Sequence, residues 1–173
     1  MCVDYGHRRL IETTPDREGI EDAVRPFIAR PQPPTLEIPR DEFDLISSRL
    51  VPFYSPLVEQ IRFAPNGVSL IQLPAGVLVD RIGGPDGWLL NPLNSSFESR
   101  SLPPSSLRLP ASVHQFVTEG SVLVEASIVP AWFGQPGGAV RFSIADQSLT
   151  IRDLLADGSL RSIRTPIAAT PYG

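Results

Sequence analysis

Residues 77–90 read Val77-Leu78-Val79-Asp80-Arg81-Ile82, then Gly83-Gly84-Pro85-Asp86-Gly87, then Trp88-Leu89-Leu90. An apolar, β-branched run is followed by five turn-forming residues and a second short apolar run. That is the pattern of a strand, a turn and a strand. The same pattern extends on both sides. Gly67 to Leu73 reads as a strand, as do His114 to Glu119, Ser121 to Ile128, Ala139 to Ile144 and Leu160 to Arg164. Thr150 to Ala156 reads as one short helix, because Ile151, Leu154 and Leu155 share a face and Gly158 is placed to stop it. Strands dominate, the connections are short enough for mostly antiparallel pairing, and the expected class is α+β. Residues 91–112, rich in Ser, Pro and Asn, read as a long loop of the kind that is functional or disordered.

Upstream the pattern differs. Residues 1–60 hold eleven acids and seven arginines, so the whole net charge of −4 resides there. Pro31-Gln32-Pro33-Pro34 signals an extended linker. Gly19 to Ala29 and Asp41 to Leu50 read as short helices on its two sides, the second opened by Asp41 and Glu42, acids that suit a helix start. The expected organisation is an N-terminal extension over 1–60 and a functional domain over 61–173.

Composition removes several chemistries from the 173 residues. All fifteen basic residues are arginine. Without lysine there is no Walker-type phosphate loop, Schiff-base lysine or kinase-type lysine. A single cysteine, Cys2, excludes an internal disulfide framework and cysteine-based zinc sites. The two histidines, His7 and His114, lie far apart, so no metal site is expected. A pI near 5.1 argues against nucleic acid as a partner. No apolar run approaches the ~20 residues of a membrane span, and the N-terminus lacks the apolar core of a secretory signal. The chain is expected to be cytosolic, exported by a route that needs no such signal, or a fragment of a longer precursor. Common hydrolase signatures are missing, and the serines of 95–106 are turn and cap formers. Asn94-Ser95-Ser96 matches a glycosylation sequon, a motif that recurs by chance.

The isolated arginines of the strand region remain. Arg81 ends a strand before a glycine-rich turn, Arg100 lies in the long loop, and Arg141 is inside a strand between Val140 and Phe142. A guanidinium is a planar, permanently charged fork that holds phosphate bidentately. Converging arginines beside an aromatic such as Trp88 or Trp132 would suit a nucleotide with a pyrophosphate. Spacing alone equally fits surface arginines in weak salt bridges.

Four segments resemble, in order and spacing, the tuberculosis necrotizing toxin domain, a family of NAD glycohydrolases. They are Val79-Asp80-Arg81-Ile82-Gly83-Gly84-Pro85-Asp86-Gly87-Trp88, Phe97-Glu98-Ser99-Arg100-Ser101-Leu102-Pro103-Pro104, Pro130-Ala131-Trp132-Phe133-Gly134-Gln135-Pro136-Gly137-Gly138, and Asp153-Leu154-Leu155-Ala156-Asp157-Gly158-Ser159-Leu160. The match spans roughly 74–164 and leaves the first 60 residues uncovered. The resemblance implies a small α+β domain around a twisted, mostly antiparallel sheet. It implies hydrolysis of NAD or NADP at the nicotinamide–ribose bond, with NAD as substrate and no cofactor or metal, in a toxin or effector domain. An immunity protein is an implied partner.

Carried over by position, Arg81 and Arg100 match the family's pyrophosphate-binding arginines. Trp88 and Leu89 fall where the family places groups around the substrate. Ile82 stands where an aromatic is common. His114 falls near a functional histidine of the family, and an ordinary strand histidine is an equal reading. Arg141 stands where the family commonly has a glutamine near the reacting ribose. A cation there opposes a cationic transition state, leaving three expectations: Arg141 binds phosphate instead, or Gln135 or Gln147 approaches the ribose, or the chain is a weakened or inactive NAD/ADP-ribose-binding homologue. Arg161 and Ser162, where the family commonly has acids, point the same way.

Overall fold

A computed structural model describes residues 32–107 and 113–166, which belong to one compact unit. Cys2, His7 and the expected helix over Gly19 to Ala29 lie outside the described residues. A short strand β1 (Leu36–Glu37) leads into helix α1 (Arg40–Phe63), followed by β2 (Val68–Leu73), β3 (Leu78–Ile82), β4 (Leu89–Pro92), β5 (Val113–Thr118), β6 (Val122–Ile128), β7 (Val140–Ile144), helix α2 (Ile151–Asp157) and β8 (Leu160–Arg164). All eight strands form one sheet in the order β1-β8-β5-β3-β4-β7-β6-β2. Every pairing is antiparallel except β1 on β8. The class is α+β, as the sequence pattern predicts. Among the described residues no helix is long and apolar enough to cross a membrane.

The strands lie within a residue or two of the expected positions because their alternation is strong. β7 buries Val140, Phe142 and Ile144 and leaves Arg141 and Ser143 half-buried on the opposite face, which is the period-2 consequence of the pleat. The core gathers Leu73, Val79, Leu90, Phe116, Val124 and Phe142 from six strands with Ile151 and Leu154 of α2. α2 begins on a reciprocal capping box between Thr150 and Asp153, and Gly158 ends it at φ 85°, a left-handed conformation natural for glycine.

α1 departs furthest from expectation. The sequence predicts a helix only to Leu50, yet the helix continues through Pro52 and Pro56 to Phe63, and the expected division near residue 60 falls inside it. Both prolines sit on its exposed side, where the backbone carbonyls that they deprive of partners face water. On the other side Phe43, Leu57 and Ile61 are buried, with Leu50, Phe53 and Tyr54 partly so. Burying such side chains contributes about 1.5–3 kcal/mol each, enough over several residues to outweigh the roughly 3 kcal/mol that one interior proline costs. The amide of Gln60 also donates to the Ser69 hydroxyl at 2.7 Å, tying α1 to β2.

Within the loop expected over 91–112, the described residues carry regular structure. Asn91 and Pro92 complete β4, and 3₁₀ turns occupy Glu98–Arg100 and Pro104–Leu107. Strand β1 was not expected at all. Two residues carry no periodicity, and this strand exists because Leu36 and Glu37 register against Ile163 and Arg164 of β8.

Candidate functional site

The segments singled out in the sequence converge through backbone hydrogen bonds. Gly137 N–H donates to the Glu98 carbonyl and Ala139 N–H to that of Ser99, joining the glycine loop to the 3₁₀ turn that carries Arg100. Ile151 N–H donates to the Gly87 carbonyl and Arg152 N–H to that of Pro85, so the start of α2 braces the 83–87 turn. Gly137 is required by shape: at φ 67°, a Cβ there would meet the Val129 carbonyl oxygen at 2.5 Å.

Arg81 sits at the end of β3 with its guanidinium folded over this turn. Its Nε donates to the Gly84 carbonyl at 2.7 Å and its Nη1 to the Leu89 carbonyl at 3.0 Å. Gly87 makes the fold-back feasible, since a Cβ there would collide with Arg81 Nη2. Of the five N–H donors of a guanidinium, three remain for a ligand. Burial lowers the arginine's proton affinity, yet a guanidinium stays charged throughout the physiological range. No carboxylate pairs with it among the described residues.

Arg100 is placed very differently. It is buried, and its guanidinium forms a pair with buried Asp80: Nη2 donates to Oδ2 at 2.8 Å, and Nη1 approaches Oδ1 at 2.6 Å without hydrogen-bond alignment. Nε and Nη2 also donate to the Ser95 carbonyl at 2.9 and 2.8 Å. Burial pushes the Asp80 carboxyl up, while Arg100 and the Asn94 backbone pull it back down. Burial and the charge of Asp80 also raise the Tyr54 phenol well above its ordinary value. The guanidinium expected to clamp a pyrophosphate therefore has most of its donors on the protein itself.

A cleft lined by Arg81, Ile82, Leu89, Asn91, Arg100, Leu102, Val129 and Arg141 brings five of the eight sequence-predicted site residues together. Its internal space is about 60 Å³, far below the ~300–1,000 Å³ of small-molecule pockets, so it can enclose only a part of a dinucleotide. Arg141 has no ion-pair partner among the described residues. With Arg100 neutralised by Asp80, the cleft presents two uncompensated cations, Arg81 and Arg141.

The other three predicted residues lie around this cleft. His114 is the register partner of Arg81 on β5 and stacks on Phe116, ring centroids 6.4 Å apart. It does not line the cleft. Gln135 stands behind the wall, its Nε2 donating to the Leu102 carbonyl at 3.3 Å. Trp88 is 56% exposed and lines a separate pocket with Glu125, Ser143, Ile144, Ala145 and Gln147. Sequence reasoning missed Asp80, Asn91 and Glu125. Asn91, whose amide donates to the Val140 carbonyl at 2.8 Å, joins β4 to β7 beside Arg141. Only the strand register, which a single sequence does not carry, could have brought these residues to the site.

The family model described as tuberculosis necrotizing toxin matches residues 72–163. The conidial surface nicotinamide adenine dinucleotide glycohydrolase of Aspergillus fumigatus is 33% identical over 96 residues, which is 53% of this chain and 40% of that protein. The chain thus spans less than half the length of this relative. Among solved structures, tuberculosis necrotizing toxin complexed with its immunity factor is 29% identical, with a TM-score of 0.46 and coverage of 54% of this chain and 55% of that one. The Rhs1-CT chain in complex with its cognate immunity protein is 14% identical, with a TM-score of 0.40 and coverage of 58% and 80%.

Proposed function

The chain belongs to the tuberculosis necrotizing toxin family, and from that membership we propose that it is an NAD(P)+ glycohydrolase acting as a toxin or effector domain. The observation that carries the reading is the cleft with two uncompensated guanidiniums, Arg81 and Arg141, one of them locked in place by the 83–87 turn. A pyrophosphate has the charge and the paired oxygens that such forks hold.

The reaction asks little of side chains. The C1′–N bond breaks, its electron pair stays on the pyridine nitrogen, and the positively charged ring leaves as neutral nicotinamide without a general acid. Water adds to C1′ and releases its proton to solvent, giving ADP-ribose. The protein's part is to grip the phosphates, orient the ribose and stabilise positive charge developing on the sugar. In this reading Arg81 is the principal phosphate ligand and Arg141 a second. Arg100 positions the cleft wall through Asp80. Delivery into another cell and neutralisation by an immunity protein complete the proposal. The fungal relative's name, a nicotinamide adenine dinucleotide glycohydrolase, supports the substrate.

A second reading has its own observation. Arg141 lines the cleft with no ion-pair partner among the described residues. A unit charge ~7 Å from a developing oxocarbenium ion opposes it by about 2 kcal/mol at an effective dielectric of ~20, roughly thirtyfold in rate. That favours a weakened NAD- or ADP-ribose-binding homologue. Release of nicotinamide from NAD+ by the purified protein separates the two. Turnover establishes the glycohydrolase, and calorimetric binding without turnover establishes the binding module.

A further inference from the structure

The pocket that holds Trp88 adjoins the arginine cleft. Arg141 of the cleft and Ser143 of the pocket are two residues apart on β7, so both point to the same face at a strand spacing of ~7 Å. The register continues this face sideways: Ser143 stands opposite Glu125 on β6 and opposite Leu89 on β4, and Arg141 stands opposite Ser127. The two hollows therefore lie along one line of the sheet. One end carries Arg81 and Arg141. The other carries Glu125 and Gln147 beside the half-exposed indole of Trp88.

The two ends are opposite in chemistry. The pocket encloses about 390 Å³, enough for one aromatic ring and its substituents. Glu125 has no cationic partner among the described residues, and an indole face attracts a flat cation. We propose that Glu125 and Trp88 form a subsite for a flat pyridinium cation, so that the groove reads a dinucleotide by charge: phosphates on the arginines, the positively charged ring on the carboxylate. Ring and pyrophosphate in such a ligand are separated by one ribose, and the two ends are one short step of strand apart. Glu125 is then a specificity-determining residue that favours the oxidised over the uncharged reduced form and offsets the repulsion from Arg141. Gln147 can meet the ring's amide or the ribose between the two ends.

This inference rests on the NAD+ reading of the cleft, and its test is built to fail separately. In the full chain, Trp132→Phe leaves Trp88 as the sole tryptophan. This protein is titrated with 1-methylnicotinamide, a flat cation, and with neutral nicotinamide, while its fluorescence is followed. The expected result is saturable quenching by the cation and a markedly weaker response to the neutral amide. Glu125→Gln should weaken the cation roughly five- to tenfold, with Glu125→Asp recovering part of the loss and ADP-ribose affinity unchanged in both. Equal affinity for cation and neutral amide, no saturable quenching, or an unaltered cation affinity in Glu125→Gln would each overturn the subsite. Glu125-dependent cation binding without any binding of ADP-ribose keeps the subsite and defeats the dinucleotide reading.

Discussion

Arg81 and Arg100 look alike in the sequence and behave as opposites in the structure. Both precede or follow turn-forming residues, and the resemblance gave both the same expected role as phosphate ligands. Arg81 donates to two backbone carbonyls, pairs with no carboxylate among the described residues and keeps three donors open. Arg100 is buried, and Asp80 and Ser95 take most of its donors. The difference arises in the partner strand positions. Asp80 and Arg81 are successive residues of β3, so they point to opposite faces; one side chain meets Arg100 in the interior and the other reaches the turn. In the proposed reading the two arginines divide the labour, Arg81 as phosphate ligand and Arg100 holding the wall.

Substitutions test this division, the largest effect first. Arg100→Ala leaves a buried carboxylate without its partner and should destabilise the fold by about 3–5 kcal/mol, read by urea denaturation. An apolar replacement of both Asp80 and Arg100 should recover much of that loss. A shift under 1 kcal/mol in Arg100→Ala would place Arg100 with Arg81 as a free ligand. Arg81→Ala should leave stability within about 1 kcal/mol and weaken NAD+ or ADP-ribose roughly tenfold or more, read by calorimetry. Gly87→Ala sharpens the same point without touching a charge. The new methyl must displace the Arg81 guanidinium, so affinity should fall several-fold while the melting temperature barely moves. Arg141→Gln should lower ADP-ribose affinity modestly and raise the rate of nicotinamide release, by up to roughly thirtyfold; an unchanged rate would clear Arg141 of opposing the reaction.

The smallest effect concerns pH. Asp86 lies in the 83–87 turn and pairs with Arg152 of α2 at 2.6 Å, and the Arg152 hydrogen bond lowers its carboxyl below the usual range. A lowered carboxylate contributes stability that is present above the unfolded value and is lost as pH falls through the folded one. Both groups are exposed, so the contribution is small and weakens in salt. Acidification below the ordinary carboxylate range should loosen the turn's brace, and Asp86→Asn should abolish that pH response in hydrogen exchange of the Gly87–Ile151 contact.

Much of the fold was legible because alternation is strong where both faces of a strand have different neighbours. Val140 to Ile144 and Val122 to Ile128 announce their strands in this way. The helix beyond Leu50 was not legible, since Pro52 and Pro56 read as stops unless the packing of Leu57 and Ile61 is known. At the site, Arg81, Arg100 and Arg141 stood out by their charge and their places beside turns or inside a strand, whereas Ile82 and Leu89 were singled out only through the family resemblance. Asp80 was hidden inside an apolar run, and Glu125 looked like the ordinary outward residue of an alternating strand. Their roles depend on register with Ser143 and on proximity to Arg100, which are properties of the assembled sheet.

The most direct measurement is nicotinamide release from NAD+ by the purified, folded protein, with Arg81→Ala measured beside it. The account predicts turnover by the parent chain and loss of most of it in the variant at subsaturating NAD+. Absence of both turnover and NAD+ binding at high protein concentration, or equal rates for parent and variant, would contradict it.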